Sequence, residues 1–196
     1  MKSEHDLFER IAEPIVTHHQ MLRTKKLIQH GNVSVFAHSL AVAAYSEKLA
    51  KKLGIEYDRK SLIRGALLHD FFLYDWHETS NVGDGLHGFA HPNTASKNAL
   101  KYFRLNKKEL DIIRKHMWPL TLTKVPRYRE SWLVCIADKY CSLLETFGLN
   151  TYSDETFIKH ISGERYRKMR AKYEQLKAEN EILEKEAEVE AEKNIS

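Results

Sequence analysis

Six side chains able to bind a divalent cation, His38, His69, Asp70, His91, His116 and Asp138, run in order through the middle of this 196-residue chain. Apart from the adjacent pair they lie 31, 21, 25 and 22 residues apart, so each belongs to a different helix or helix end. An antiparallel helical bundle brings such distant positions into one interior. Four imidazoles and two carboxylates can hold two metals, and that inventory points to hydrolytic metal chemistry ahead of oxygen chemistry.

Local context strengthens the pattern. The pair closes the apolar run Leu67-Leu68-His69-Asp70, and Asp138 follows Leu133-Val134-Cys135-Ile136-Ala137. An ionised carboxylate in such a run is costly to bury alone, and a cation makes its burial favourable. Gly65 and Ala66, one turn before His69, permit close helix approach, and His116 follows Ile112-Ile113. The competing readings are a capping or salt-bridged carboxylate for Asp138 and a hydrogen-bonded core histidine for His116. His87 competes with His91.

Apolar residues recur at three and four positions and strand-like alternation is brief, which predicts an all-α domain. Helices are expected over 4–29, 34–53, 59–71, 93–104, 107–116, 128–147 and 153 to about 192. Gly31-Asn32, Gly54, Pro119, Pro126 and Gly148-Leu149-Asn150 punctuate them. Trp76 to His91 carries Gly83, Gly85 and Gly88 with little periodicity, and is expected to be a loop able to serve as an active-site lid.

Two cysteines, Cys135 and Cys141, in a helical pattern indicate neither a disulfide framework nor a zinc-thiolate cluster, which fits a reducing compartment. The charged opening and the lack of a long apolar stretch lead to the expectation of a cytoplasmic protein without a membrane partner. The net charge of +4 hides an asymmetry: residues 174–192 hold eight glutamates and two lysines, so the body is more basic than the whole. That balance suits a small phosphorylated substrate, while no signature of a specific nucleic-acid reader is present. From Tyr166 onward a heptad places Tyr166, Tyr173, Asn180 and Ala187 at one seam position and Met169, Leu176, Leu183 and Glu190 at the other. The expectation is a catalytic bundle over 1–150 and a long charged helical extension over 151–196. The extension either pairs as a coiled coil in a homodimer or docks and frays on its own domain.

Phe36-Ala37-His38-Ser39, Gly65-Ala66-Leu67-Leu68-His69-Asp70, His91-Pro92-Asn93-Thr94-Ala95, His116 and Ile136-Ala137-Asp138-Lys139-Tyr140 together resemble the HD-domain superfamily of metal-dependent phosphohydrolases over about Gly31 to Phe147. The resemblance implies an HD-domain helical bundle. It also implies one metal on His38, His69, Asp70 and Asp138. The extra His91 and His116 resemble the binuclear branch, in which Asp70 would bridge two cations. His91 is preferred to His87 because His91-Pro92 leads into a helix, as in the family pattern. Cyclic-dinucleotide phosphodiesterases of the superfamily commonly carry a Lys three residues after the Asp, where this chain has Leu73, which counts against that substrate.

The function implied is hydrolysis of a phosphoester or phosphoanhydride of a nucleotide or related metabolite by metal-activated hydroxide. Asp70 and His69 would be catalytic, and iron or manganese is favoured over zinc, cobalt or nickel. Lys97, Lys115, Arg127 and Lys139 are candidates to bind the phosphate, and His87 and His77 to donate a proton. A mixed-valence di-iron oxygenase of the same superfamily and a non-catalytic nucleotide sensor are the alternatives.

Overall fold

The computed structural model describes residues 2–74 and 87–150, with side chains described from Leu7 to Tyr74 and from Ala90 to Asn150. The helices are α1 (Lys2–Val16), α2 (His19–Arg23), α3 (Val35–Leu53), α4 (Arg59–Leu68), α5 (His87–Tyr102), α6 (Lys107–Lys115) and α7 (Arg129–Thr146). A 3₁₀ turn over Thr24–Lys26 and a two-stranded antiparallel hairpin, β1 (Ile28–His30) and β2 (Val33–Ser34), stand between α2 and α3. The all-α architecture expected from periodicity is therefore present. The expected extension over 151–196 and most of the expected lid lie outside the described residues.

α3 is the centre of the bundle. Every side chain from Val35 to Ala43 is buried, the mark of a helix enclosed on all sides, and it packs against both α4 and α7. The Ser34 hydroxyl accepts the Ala37 N–H at 3.1 Å to start it, and Gly54 stops it at φ +63°. α4 begins on an Asp58 cap and lies so close to α6 that a methyl group at Gly65 would overlap the Ile112 side chain. α6 opens with a capping box in which Asn106 and Glu109 satisfy each other's backbone N–H groups. α6 in turn packs against α4, α5 and α7, which brings the carboxyl-terminal ends of α4 and α6 to one interior region.

Two sequence expectations are corrected. The helix expected over 4–29 ends at Val16, after Pro14, and the chain turns through α2 and the 3₁₀ turn into the hairpin. At the break the Thr17 hydroxyl donates to the Glu13 carbonyl at 2.7 Å, the local side-chain bonding that weakens helix continuation, and His18 caps α2. The glycine-containing segment ends earlier than expected, because α5 starts at His87 and carries Pro92 within it.

Candidate metal centre

Five helices deliver the six candidate ligands. His38 stands in the first turn of α3, His69 caps the carboxyl end of α4 and Asp70 follows it. His91 lies in α5, His116 caps α6 and Asp138 lies in α7. All six are buried, at 0–6% exposure. Two imidazoles thus sit where helix carboxyl ends concentrate partial negative charge, which favours a cation.

The geometry divides at Asp70. Its Oδ2 is 3.2 Å from His69 Nε2 and 3.6 Å from His38 Nε2. Asp138 Oδ1 lies 3.2 Å from His38 Nε2 and 3.6 Å from His69 Nε2 and completes that group. The other oxygen, Oδ1, is 3.2 Å from His91 Nε2 and 3.3 Å from His116 Nε2. One carboxylate therefore belongs to two ligand sets, each with donor atoms within 4.8 Å of one another.

The imidazoles are held in the tautomer a metal requires. His69 Nδ1 donates to the Ala66 carbonyl at 2.7 Å, and His116 Nδ1 donates to the Ile113 carbonyl at 2.9 Å. A carbonyl only accepts, so Nδ1 carries a proton and Nε2 is the nitrogen that faces the centre. His38 Nδ1 donates to the Glu145 carboxylate at 2.8 Å, the carboxylate–histidine arrangement that orients metal ligands.

Charge follows from these contacts. Burial pushes His38 down, but hydrogen bonds to Asp138 and Glu145 outweigh it and raise the imidazole to about 9. Burial lowers His116 to about 4, with the charges of His69 and His91 opposing the pull of Asp70. Burial disfavours the ionised forms of Asp70 and Asp138, yet the surrounding imidazoles hold both carboxyls well below the usual range. His69 Nε2 and Asp70 Oδ1 are buried without a hydrogen-bond partner, and His91 Nε2 stands 2.8 Å from His116 Nε2. Buried polar atoms without hydrogen bonds and converging imidazole nitrogens fit a site built for cations.

A family-level comparison matches residues 35–143 to the HD domain. The chain belongs to the HD-domain family. That domain marks the superfamily of metal-dependent phosphohydrolases in general, and all six candidate ligands fall within the matched HD-domain residues. No curated protein and no solved structure matches the chain.

Other candidate residues of this HD domain fall in different places. Lys139 Nζ donates to the His116 carbonyl at 2.8 Å and lies 3.6 Å from Asp138 Oδ2, at the rim of the centre. Lys115 is ion-paired with Asp111 one turn earlier. Lys97 and Arg127 are exposed, and the Arg127 backbone N–H donates to Asp111. His87 is the first residue of α5, with its side chain outside the described residues, as is the whole of His77. Leu73, where a Lys would stand in the cyclic-dinucleotide relatives, has φ +60°, and Asn98 Nδ2 holds the chain just before it by donating to the Phe71 and Phe72 carbonyls.

Sequence reasoning missed two contacts. Glu145 reads as an ordinary helical acid, although its place seven residues after Asp138 puts both on one face of α7. Gln29 donates Nε2–H to Asp70 Oδ2 at 2.6 Å, and it fell within what was expected to be a continuous helix. Both lie just outside the matched HD-domain residues.

Proposed function

We propose that this protein is a metal-dependent phosphohydrolase that cleaves a phosphoester or phosphoanhydride of a nucleotide or related small metabolite. The observation that carries the reading is the division of Asp70 between two ligand sets. In this reading Asp70 would help to hold two divalent cations, one with each ligand set. His38, His69 and Asp138 complete one set, and His91 and His116 the other. Bound there, the cations supply Lewis-acid polarisation of a phosphoryl oxygen and acidify water near neutral pH.

The chain's own residues do the rest. The backbone carbonyls of Ala66 and Ile113 and the Glu145 carboxylate hold three rings with Nε2 facing inward, so little reorganisation accompanies binding. Burial of Asp70 and Asp138 keeps these charges in a region where electrostatic interactions are strong. Lys139 is the phosphate-binding cation of this reading, because it alone of the four candidates has a described contact with ligand residues of the centre. Mixed imidazole and carboxylate donors suit iron or manganese, and accept zinc, cobalt or nickel.

The test uses full-length protein stripped with chelator, reloaded anaerobically with manganese or iron, and assayed against a panel of nucleotides. More than one metal equivalent per chain together with phosphate release supports the proposal. Iron-dependent oxygen uptake without phosphate release would move the protein to the oxygenase class. Tight nucleotide binding without turnover would make it a sensor.

A further inference from the structure

Gln29 reaches the centre from the hairpin, not from the helices that carry the ligands. Its side chain is buried, with 6% residue exposure. The orientation of its amide is forced: a carboxylate accepts and does not donate, so the group facing Asp70 Oδ2 at 2.6 Å is the Nε2–H. That orientation leaves Gln29 Oε1 buried, with no hydrogen-bond donor among the described residues. Covalent geometry of the amide places this oxygen within about 5 Å of Asp70 Oδ2. A buried carbonyl oxygen without a donor is rare and costly, and rotating the amide would set it against the carboxylate instead.

We infer that Gln29 is a further binding residue of the metal centre: its N–H fixes Asp70, and its Oε1 accepts a hydrogen bond from an O–H donor held at the centre, water when no substrate is present. This inference rests on the metal reading proposed above. The same amide makes the two sides of Asp70 unequal, because Oδ2 accepts from Gln29 while Oδ1 faces the His91 and His116 rings.

The consequence separates this role from simple packing. In metal-free protein Gln29→Met, which keeps the volume and removes both polar atoms, relieves the unmatched acceptor but gives up the bond to Asp70 Oδ2, two effects of opposite sign, so the Tm should change only slightly. With metal bound, the variant loses an outer contact of the centre, a change that typically costs 10-fold to 100-fold in metal affinity.

The experiment measures the Tm of full-length wild-type and Gln29→Met proteins with EDTA and with Mn²⁺, together with Mn²⁺ affinity by calorimetry. The expected result is a small change of Tm in EDTA, a smaller rise on adding Mn²⁺ than wild type shows, and affinity reduced about 10-fold. A variant that loses the same Tm with and without Mn²⁺, at unchanged affinity, makes Gln29 a packing residue of the hairpin and overturns the inference. Wild-type protein that binds no Mn²⁺ overturns the metal reading and this inference with it. Wild-type binding with an indistinguishable variant overturns the inference alone.

Discussion

Glu145 accepts the Nδ1 hydrogen of His38 at 2.8 Å, and both side chains are completely buried. Asp138, two turns earlier on α7, meets the opposite ring nitrogen at 3.2 Å, so one helix grips the imidazole from both sides. Removing the Glu145 charge should weaken the ligand it orients without touching the other donors. Glu145→Gln is expected to lower metal affinity by about 10-fold, within the range for partners that orient a ligand. Competition with a fluorescent chelator would measure it, and an unchanged affinity would show that the ring needs no such support.

Asp70→Ala removes the donor common to both sets. The expected outcome is loss of bound metal from both sets and of turnover, with helical circular dichroism close to wild type, because α4 ends before this residue. Retention of near-wild-type metal content would remove Asp70 from the bridging position.

Metal uptake should depend steeply on pH. His38 in the metal-free protein is raised to about 9 from an ordinary 6.5, with burial opposed and outweighed by Asp138 and Glu145. A raised imidazole stabilises the metal-free fold fully below pH 6.5, and this contribution fades as pH rises through about 9. Cations need neutral rings, so their affinity should rise as pH rises, with release of protons from His38 and from His69, where burial is likewise outweighed by Asp70 and Asp138, which hold the imidazole well above its ordinary value. Calorimetry in buffers of different ionisation enthalpy would read those protons. His116, already neutral above about 4, contributes none there.

Gly31 couples the hairpin to the end of α7. It has φ +57°, and a Cβ added to it would lie 2.9 Å from the Glu145 carbonyl oxygen. Gly31→Ala should therefore destabilise the protein by about 2 kcal/mol, combining left-handed strain with a backbone clash. Urea unfolding of metal-free protein would measure the loss. A change below about 0.5 kcal/mol, the usual range for an unremarkable surface substitution, would show that the hairpin moves aside.

What the sequence determined by itself is the helical scaffold and the buried His/Asp cluster. His69-Asp70 and Asp138 stand out because charged groups interrupt apolar helical runs, and burial in a bundle leaves such groups few options besides a cation or a partner. Capping residues such as Ser34, Asp58 and Asn106 set helix starts through bonds that span only three residues, so they too are local information. The tertiary structure alone decided which oxygen of Asp70 faces which set, and which residues hold the ligands from behind. Gln29 meets Asp70 across 41 residues of chain and Glu145 meets His38 across 107. Neither contact leaves a periodic trace, because a buried amide or carboxylate that bonds across the fold has the same local sequence appearance as one that faces water. The hairpin that carries Gln29 was likewise hidden, since three strand residues and a glycine turn are too short to outweigh the helical pattern that precedes them.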